Sequence, residues 1–290
     1  MENFTIVIAT AIRPTLSLLL EKINRSTVLP KEVIISIPKN KKYFLDNSNY
    51  QFKIKIISKG VGQVKQRIEG FKVAKTPLCI QMDDDITFEK SFLEKLINSF
   101  VKLPYNSALA PSFIVNKTPF SVLISPKPTF APLLYFILDG KFKPNYGEIS
   151  KSGIPFGINP IYSKNEESLV KTSWIPGACV IHRTPNLLTD WKYPYSGKAY
   201  AEDLMHSYLL KAKKIELFIE RSLILNLELD ESTKKLNVKN YIFSRFPLYR
   251  ALVNIPNLRI NTLRYLIFSI VYLLIKTFDF LKKQILKIHK

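Results

Sequence analysis

Cysteine, histidine and acid are all scarce in this chain. Of 290 residues, two are cysteine, three are histidine and 23 are Asp or Glu, against 43 Lys or Arg. Cys79 and Cys179 each stand in an apolar, strand-like run, which excludes a disulfide framework and leaves reduced core thiols as the expectation, with a bridge or a reactive thiol as the alternatives. Long hydrophobic runs are missing too. Tyr265 to Ile275 is uncharged for eleven residues, short of the roughly 20 that a membrane-spanning helix needs. The opening MENFTIVIAT has neither a basic n-region nor a small-residue cleavage site, so no signal peptide and a cytoplasmic location are expected. At 47% hydrophobic and 12% aromatic, the composition excludes a disordered chain.

The basic surplus, +20 overall, is unevenly spread. From Thr233 to Lys290 there are twelve Lys and Arg and one acid, Asp279, so that last fifth carries about half of the net charge. The apolar residues there, among them Leu263, Leu266, Ile267, Ile270, Leu274 and Phe278, recur at spacings of three and four. This pattern predicts a basic amphipathic helix over 258–290 that lies on an anionic membrane surface. A helix packed on the rest of the protein, or a coiled-coil contact, has the same periodicity. Nucleic acid fits less well as a partner: no helix-turn-helix, zinc or RNA-binding signature is readable, and the basic residues are mixed with large apolar ones.

Upstream, β-rich apolar runs alternate with helical patterns, the mark of a parallel α/β arrangement. Strands are expected at Phe4 to Thr10, Glu32 to Ile37, Phe52 to Ser58 and Leu78 to Met82, the third of them nearer an edge because it alternates with lysine. Helices are expected at Pro14 to Arg25, from Gln63 to Ala74 and from Phe88 to Val101. Leu103 to Thr172 is rich in proline and reads as a long loop-rich insertion. A strand ending at Arg183, a helix over Glu202 to Lys214 and a strand at Ile215 to Ile219 follow.

The strongest chemical signal is Asp83-Asp84-Asp85, three acids at the carboxyl end of a central strand, where open α/β sheets bind ligands. Adjacent carboxylates repel, and a divalent cation such as Mg2+ or Mn2+, held by hard oxygens and bridging to phosphates, relieves that repulsion. Taken alone, the triplet also reads as a solvated turn ahead of a helix. Its surroundings resemble the family 2 glycosyltransferases. The matching segments, in order, are Ala9-Thr10-Ala11-Ile12-Arg13-Pro14, then Gly62 to Gly70 with Arg67 and Gly70, then Gln81 to Asp85 as the DxD-type motif. Trp174-Ile175-Pro176-Gly177 with Arg183, and Ala201-Glu202-Asp203-Leu204, complete the set.

That resemblance, over about residues 4 to 230, implies a GT-A fold: a Rossmann-like mixed sheet flanked by helices, here with a C-terminal helical extension. Residues 1–102 would form the nucleotide-binding half, 103–230 the acceptor half and 231–290 the membrane-associating tail. It also implies a metal-dependent, inverting transferase of the hexosyltransferase type that uses a nucleoside diphosphate sugar. Asp203 would be the general base, with Glu202 orienting it or raising its pKa; the alternative for the pair is charge at a helix N-terminus. Asp83 and Asp85 would hold Mn2+ or Mg2+. Thr10, Arg13, Lys65, Arg67, Asp83 and Asp84 would face the donor, and Trp174 and Gly177 the acceptor. Equally open are a solvated face for Lys65, a surface charge for Arg13, a core position for Trp174 and a bulge for Gly177.

The chain departs from the family pattern at Ser36-Ile37-Pro38-Lys39, where an acid toward the nucleotide base is common, and at Ile68, which stands for the usual Asn. No His follows Ile219 at the position of a further metal ligand. Asn226, Glu228 or His206 are the candidates to replace it, with packing the alternative for His206, while His182 is expected to be a satisfied core histidine. The expected acceptor is a lipid-linked surface glycan. The alternatives are a soluble or protein acceptor, or a catalytically silent module that binds membrane or nucleic acid.

Overall fold

Apolar runs become strands and amphipathic runs the helices that cover them. The computed structural model describes residues 2–46, 48–115, 118–119, 131–143, 147–156, 167–193, 199, 202–227 and 260–288. In chain order come β1 (Phe4–Ala9), α1 (Thr15–Asn24), β2 (Glu32–Pro38), β3 (Lys53–Gly60), α2 (Gln63–Phe71), β4 (Leu78–Met82), β5 (Ile86–Thr87) and α3 (Phe92–Phe100). They are followed by β6 (Ser107–Val115), β7 (Thr118–Pro119), α4 (Ala131–Asp139), β8 (Leu169–Thr172), β9 (Cys179–Arg183), α5 (Glu202–Ala212), β10 (Glu216–Leu227) and α6 (Thr262–Ile288).

Two compact units result, Met1–Phe120 with Ile158–Lys234, and Ser121–Gly157 with Lys235–Lys290. This differs from the division expected from sequence. Residues 121–157 group with the C-terminal segment and not with the acceptor half, because α4 supplies the apolar surface that α6 needs.

The first unit holds one mixed sheet in the order β3-β2-β1-β4-β9-β6-β10-β5, with β7 on β6 and β8 on β10. The strands β3, β2, β1 and β4 are parallel, and β9 runs antiparallel between β4 and β6. Successive residues of β1 serve opposite faces, as the two-residue period of a strand requires. Ile6 and Ile8 join a core with Leu16, Leu19, Leu20 and Ile23 of α1 and Leu93 and Leu96 of α3. Val7 joins Phe71 of α2 on the other side, where α5 adds Leu210 to a further cluster. Helices therefore cover both faces, and β1 and β4, buried at every position, are mostly apolar for that reason, with Thr5 and Gln81 the polar exceptions. Cys79 and Cys179 are free and buried, on opposite faces, and burial pushes both thiols up.

The expected insertion from Leu103 needs correction. Its start is β6, a nine-residue strand inside the sheet with Ala108, Leu109 and Ala110 fully buried. Pro111 conceals it in the sequence. Proline cannot donate to the ladder, and the register between β6 and β10 shifts beside it, between Glu220 and Ile224. The helix expected from Phe88 begins at Phe92, because Ile86 and Thr87 pair with Leu227 and Asn226 instead.

The second unit is built on a cluster of Leu134 and Leu138 from α4, Ile154, Phe156, and Phe268 from α6. The helix expected over 258–290 is observed as α6 over Thr262–Ile288. No helix among the described residues is long and apolar enough to cross a membrane.

Candidate active site

The carboxyl ends of β1 and β4 lie side by side, with Ile8 opposite Met82. Beyond them the chain must turn, and the two turns are tied together. Thr10 donates its hydroxyl to Asp84 Oδ2 and accepts the Ile12 N–H at 2.8 Å, which folds Ile12 back at a φ of 68°. Arg13 then reaches Asp85 at 3.0 Å and Asp84 at 3.5 Å. Burial raises the pKa of Asp84, opposed by the Thr10 hydrogen bond and by Arg13. For Asp85, burial and the charge of Asp83 raise it and Arg13 opposes them.

Arg67 organises the other side. It lies on α2, which comes close to β1 because Gly70 has no side chain: a Cβ there would sit 2.3 Å from Val7 Cγ1. At 4% exposure the Arg67 guanidinium donates through Nη1 to Glu202 Oε1 and through Nη2 to Asp83 Oδ1. One planar cation thus joins the end of β4 to the start of α5. Burial disfavours its charge, but Glu202 and Asp83 outweigh that penalty and its pKa is raised. Asp83 also accepts from Gln63 Nε2 at 2.9 Å, and its backbone N–H donates to Ala178 O at 2.8 Å.

Gly177 belongs to the same arrangement. A Cβ at this position would lie 2.5 Å from Glu202 Oε1 and 3.3 Å from Arg67 Nη1. The loop can cross the ion pair only without a side chain there, and Gln81 Nε2 holds the Gly177 carbonyl at 2.7 Å.

Glu202 and Asp203, adjacent at the start of α5, have different tasks. Glu202 gives its carboxylate to Arg67, whereas Asp203 accepts only the Leu204 N–H, at 2.9 Å, among the bonds seen for its side chain. Half-buried beside an acid, Asp203 is raised to a pKa of about 7, first by burial and then by the charge of Glu202. A carboxyl group titrating near neutrality suits proton abstraction from a hydroxyl.

The structure therefore brings together Thr10, Arg13, Arg67, Asp83, Asp84, Asp85, Gly177, Glu202 and Asp203. Other expected residues stand elsewhere. Lys65 pairs with Glu69 at 3.3 Å on the exposed side of α2. Arg67 directs both Nη atoms at protein carboxylates, so it positions those groups and is not open to a diphosphate. Trp174 is only 2% exposed, which encloses its ring within the unit and leaves no face for stacking.

His206 is packed between Trp191, with ring centroids 6.0 Å apart, and His182, at 5.6 Å; burial, then the charge of Arg67, lowers its pKa to about 3. His182 departs from expectation: neither ring nitrogen has a hydrogen-bond partner among the described residues. Asn226 pairs with Thr87, two positions beyond Asp85, and Glu228 lies outside the described residues. Sequence reasoning missed Gln63, Gln66 and Gln81. Gln66 ties the Thr10 and Ser36 carbonyls at 2.8 and 2.6 Å, and the only signal for it was an amide one position before Arg67.

A divalent cation fits the donor set at the triplet. Asp83 and Asp85 are hard carboxylates at one strand end, close enough that the charge of Asp83 raises the pKa of Asp85. Among the described residues no group of three or more His, Cys, Asp or Glu converges into a complete cage. Two carboxylates suit a cation that fills its shell with water and substrate phosphates.

A family profile described as glycosyl transferase family 2 matches residues 6–153. No curated protein matches the chain. Among solved structures, GalNAc-T7 crystallised with UDP, GalNAc and Mn2+ aligns with a TM-score of 0.55 at 15% identity, over 84% of this chain and 47% of that one. TarS of S. aureus aligns at 0.45 and 12% identity, over 88% and 40%. This chain thus spans less than half the length of either structure. The central mixed sheet flanked by helices is that of the GT-A fold.

Proposed function

Because the chain belongs to glycosyl transferase family 2, we propose that it moves a hexosyl group from a nucleoside diphosphate sugar to an acceptor hydroxyl, with inversion at the anomeric carbon. The observation that carries this reading is the Arg67 bridge, which binds the acidic strand end to the acidic helix start. The bridge pins Glu202 and leaves Asp203 as the carboxylate able to take a proton.

In the step, the acceptor hydroxyl gives its proton to Asp203 while its oxygen bonds to the anomeric carbon. The bond from that carbon to the diphosphate oxygen breaks, and the nucleoside diphosphate departs with the electron pair. In this reading Arg13 meets the diphosphate, and its support is a side chain 56% exposed beside Asp84 and Asp85. Mn2+ or Mg2+ held by Asp83 and Asp85 would supply charge stabilisation for the leaving group. GalNAc-T7 was crystallised with UDP, GalNAc and Mn2+, and its similar fold supports the donor class proposed here.

Asp203→Asn removes the base and keeps the shape. Transfer should fall by about 10²–10⁴-fold, the range for positioned acid–base groups, while nucleotide binding by calorimetry stays within a factor of about three. Retention of most activity would refute the assignment.

The reading extends to a lipid-linked surface glycan as acceptor, met by the protein at the cytoplasmic face of a membrane. Its support is the second unit, where Leu263, Leu266, Ile270, Leu274 and Phe278 of α6 are exposed in a segment whose charged residues are basic but for Asp279. Scattered single apolar residues are ordinary on a surface, whereas a continuous row of them marks a binding face.

A further inference from the structure

The open row on α6 has a continuation that the tail sequence does not contain. At 3.6 residues per turn, Leu263, Leu266, Ile267, Ile270, Leu274 and Phe278 share one side of the helix, and all are exposed. Tyr265 and Phe268, 5% and 1% exposed, lie on the opposite side, toward α4. Helix α6 is thus apolar on both sides, one packed and the other bare, and the bare row is about 22 Å long at 1.5 Å per residue.

Helix α4 ends at a second exposed apolar group. Phe136 and Phe142 stack with centroids 5.0 Å apart and planes 18° from parallel, and Phe142 is 62% exposed. Its chain neighbours Lys141 and Lys143 are exposed as well, Lys141 lying 3.7 Å from Asp139. Arg264, at the start of α6, fixes this corner. Its Nη1 donates to the carbonyls of Phe136 and Ile137, its guanidinium lies 5.7 Å from the Phe136 ring centroid, and α4 is thereby capped by α6.

Two stacked, exposed phenylalanines, Phe142 flanked by Lys141 and Lys143, are anchored to a helix with its own bare apolar row, and together they form an apolar surface with basic residues beside it. The stretch of sequence that contains α6, Thr233 to Lys290, has twelve basic residues and a single acid. That charge opposes a second copy of the same chain and matches an anionic bilayer. We propose that the turn Lys141-Phe142-Lys143 is a second membrane-inserting element, which enters the headgroup region of anionic lipid beside α6 and gives the second unit two points of attachment. This rests on the reading of α6 as a membrane-facing helix.

The test uses the full chain and vesicles of phosphatidylglycerol and phosphatidylcholine, with pure phosphatidylcholine as control. Phe142→Cys provides a single exposed thiol, since Cys79 and Cys179 are buried, for an environment-sensitive fluorophore. The expected result is a blue shift on anionic vesicles and none on neutral ones. Phe142→Ser should weaken co-sedimentation at least threefold, and the paired change Ile270→Glu and Leu274→Glu should weaken it further. If the protein sediments with anionic vesicles but the label at 142 does not shift and Phe142→Ser binds as before, the inference falls and the α6 reading stands. If the unaltered protein does not sediment, both fall. Concentration-dependent self-association in ultracentrifugation, removed by Phe142→Ser, would assign the surface to a second copy instead and overturn the proposal.

Discussion

Arg67 faces two carboxylates from two distant parts of the chain, Asp83 and Glu202, and is nearly buried between them. Removing one partner of a buried pair leaves the others without compensation, at a cost of about 3–5 kcal/mol. Arg67→Met should therefore lose stability of that order in urea denaturation and lose transfer with it, whereas Lys72→Gln, at an exposed position at the end of the same helix, should change neither. If Asp203 is the base, as proposed, it sets the pH dependence. Its folded pKa is raised, so it remains protonated up to about pH 7 and becomes a base only above that. Activity should be lost as pH falls through about 7 and level off above it, and a profile breaking near pH 4 would contradict the assignment. The acids and Arg67 could be singled out in the sequence because their residue types carry the chemistry, but Arg67 was expected to face the diphosphate and instead bridges Asp83 and Glu202. Gln63, Gln66 and Gln81 could not be singled out, because a glutamine inside a helix or strand has no pattern that separates a buried tie from a solvated side chain.

At the scale of elements, β1, β2 and β4 were readable because burial on both faces makes them mostly apolar, and β3 was legible as an edge from its alternating lysines. Strand β6 escaped because Pro111 and small residues stand where branched apolar ones mark a strand, although it lies deep in the sheet. The depth of α2 was concealed too, since Gln66 and Arg67 are polar residues at buried positions. What seats that helix is Gly70 against Val7. Gly70→Ala should overpack this contact and cost about 1–3 kcal/mol, measured by thermal or urea unfolding, and Val7→Ala in the same chain should restore part of the loss. Equal stability of Gly70→Ala and the unaltered protein would mean that the helix has room to move.

On the scale of the whole molecule, charge and chemistry are separated along the sequence. The acids that matter converge at the carboxyl edge of the sheet in the first unit, while the densest basic segment belongs to the second. The sequence pointed to a tail helix, and α6 is there; that 121–157 joins it was not legible, because the contact is between segments more than a hundred residues apart. The central claim is that the Asp83–Asp85 edge takes a nucleoside diphosphate sugar with a divalent cation. Its most direct test is the thermal shift of the protein with a panel of nucleoside diphosphate sugars, with and without Mn2+, since a ligand that binds only the folded state raises the midpoint. One nucleotide class should stabilise the unaltered protein and Asp203→Asn alike in the presence of Mn2+, and should fail to stabilise Asp85→Ala. No shift with any donor, or an equal shift in Asp85→Ala with and without Mn2+, would contradict it.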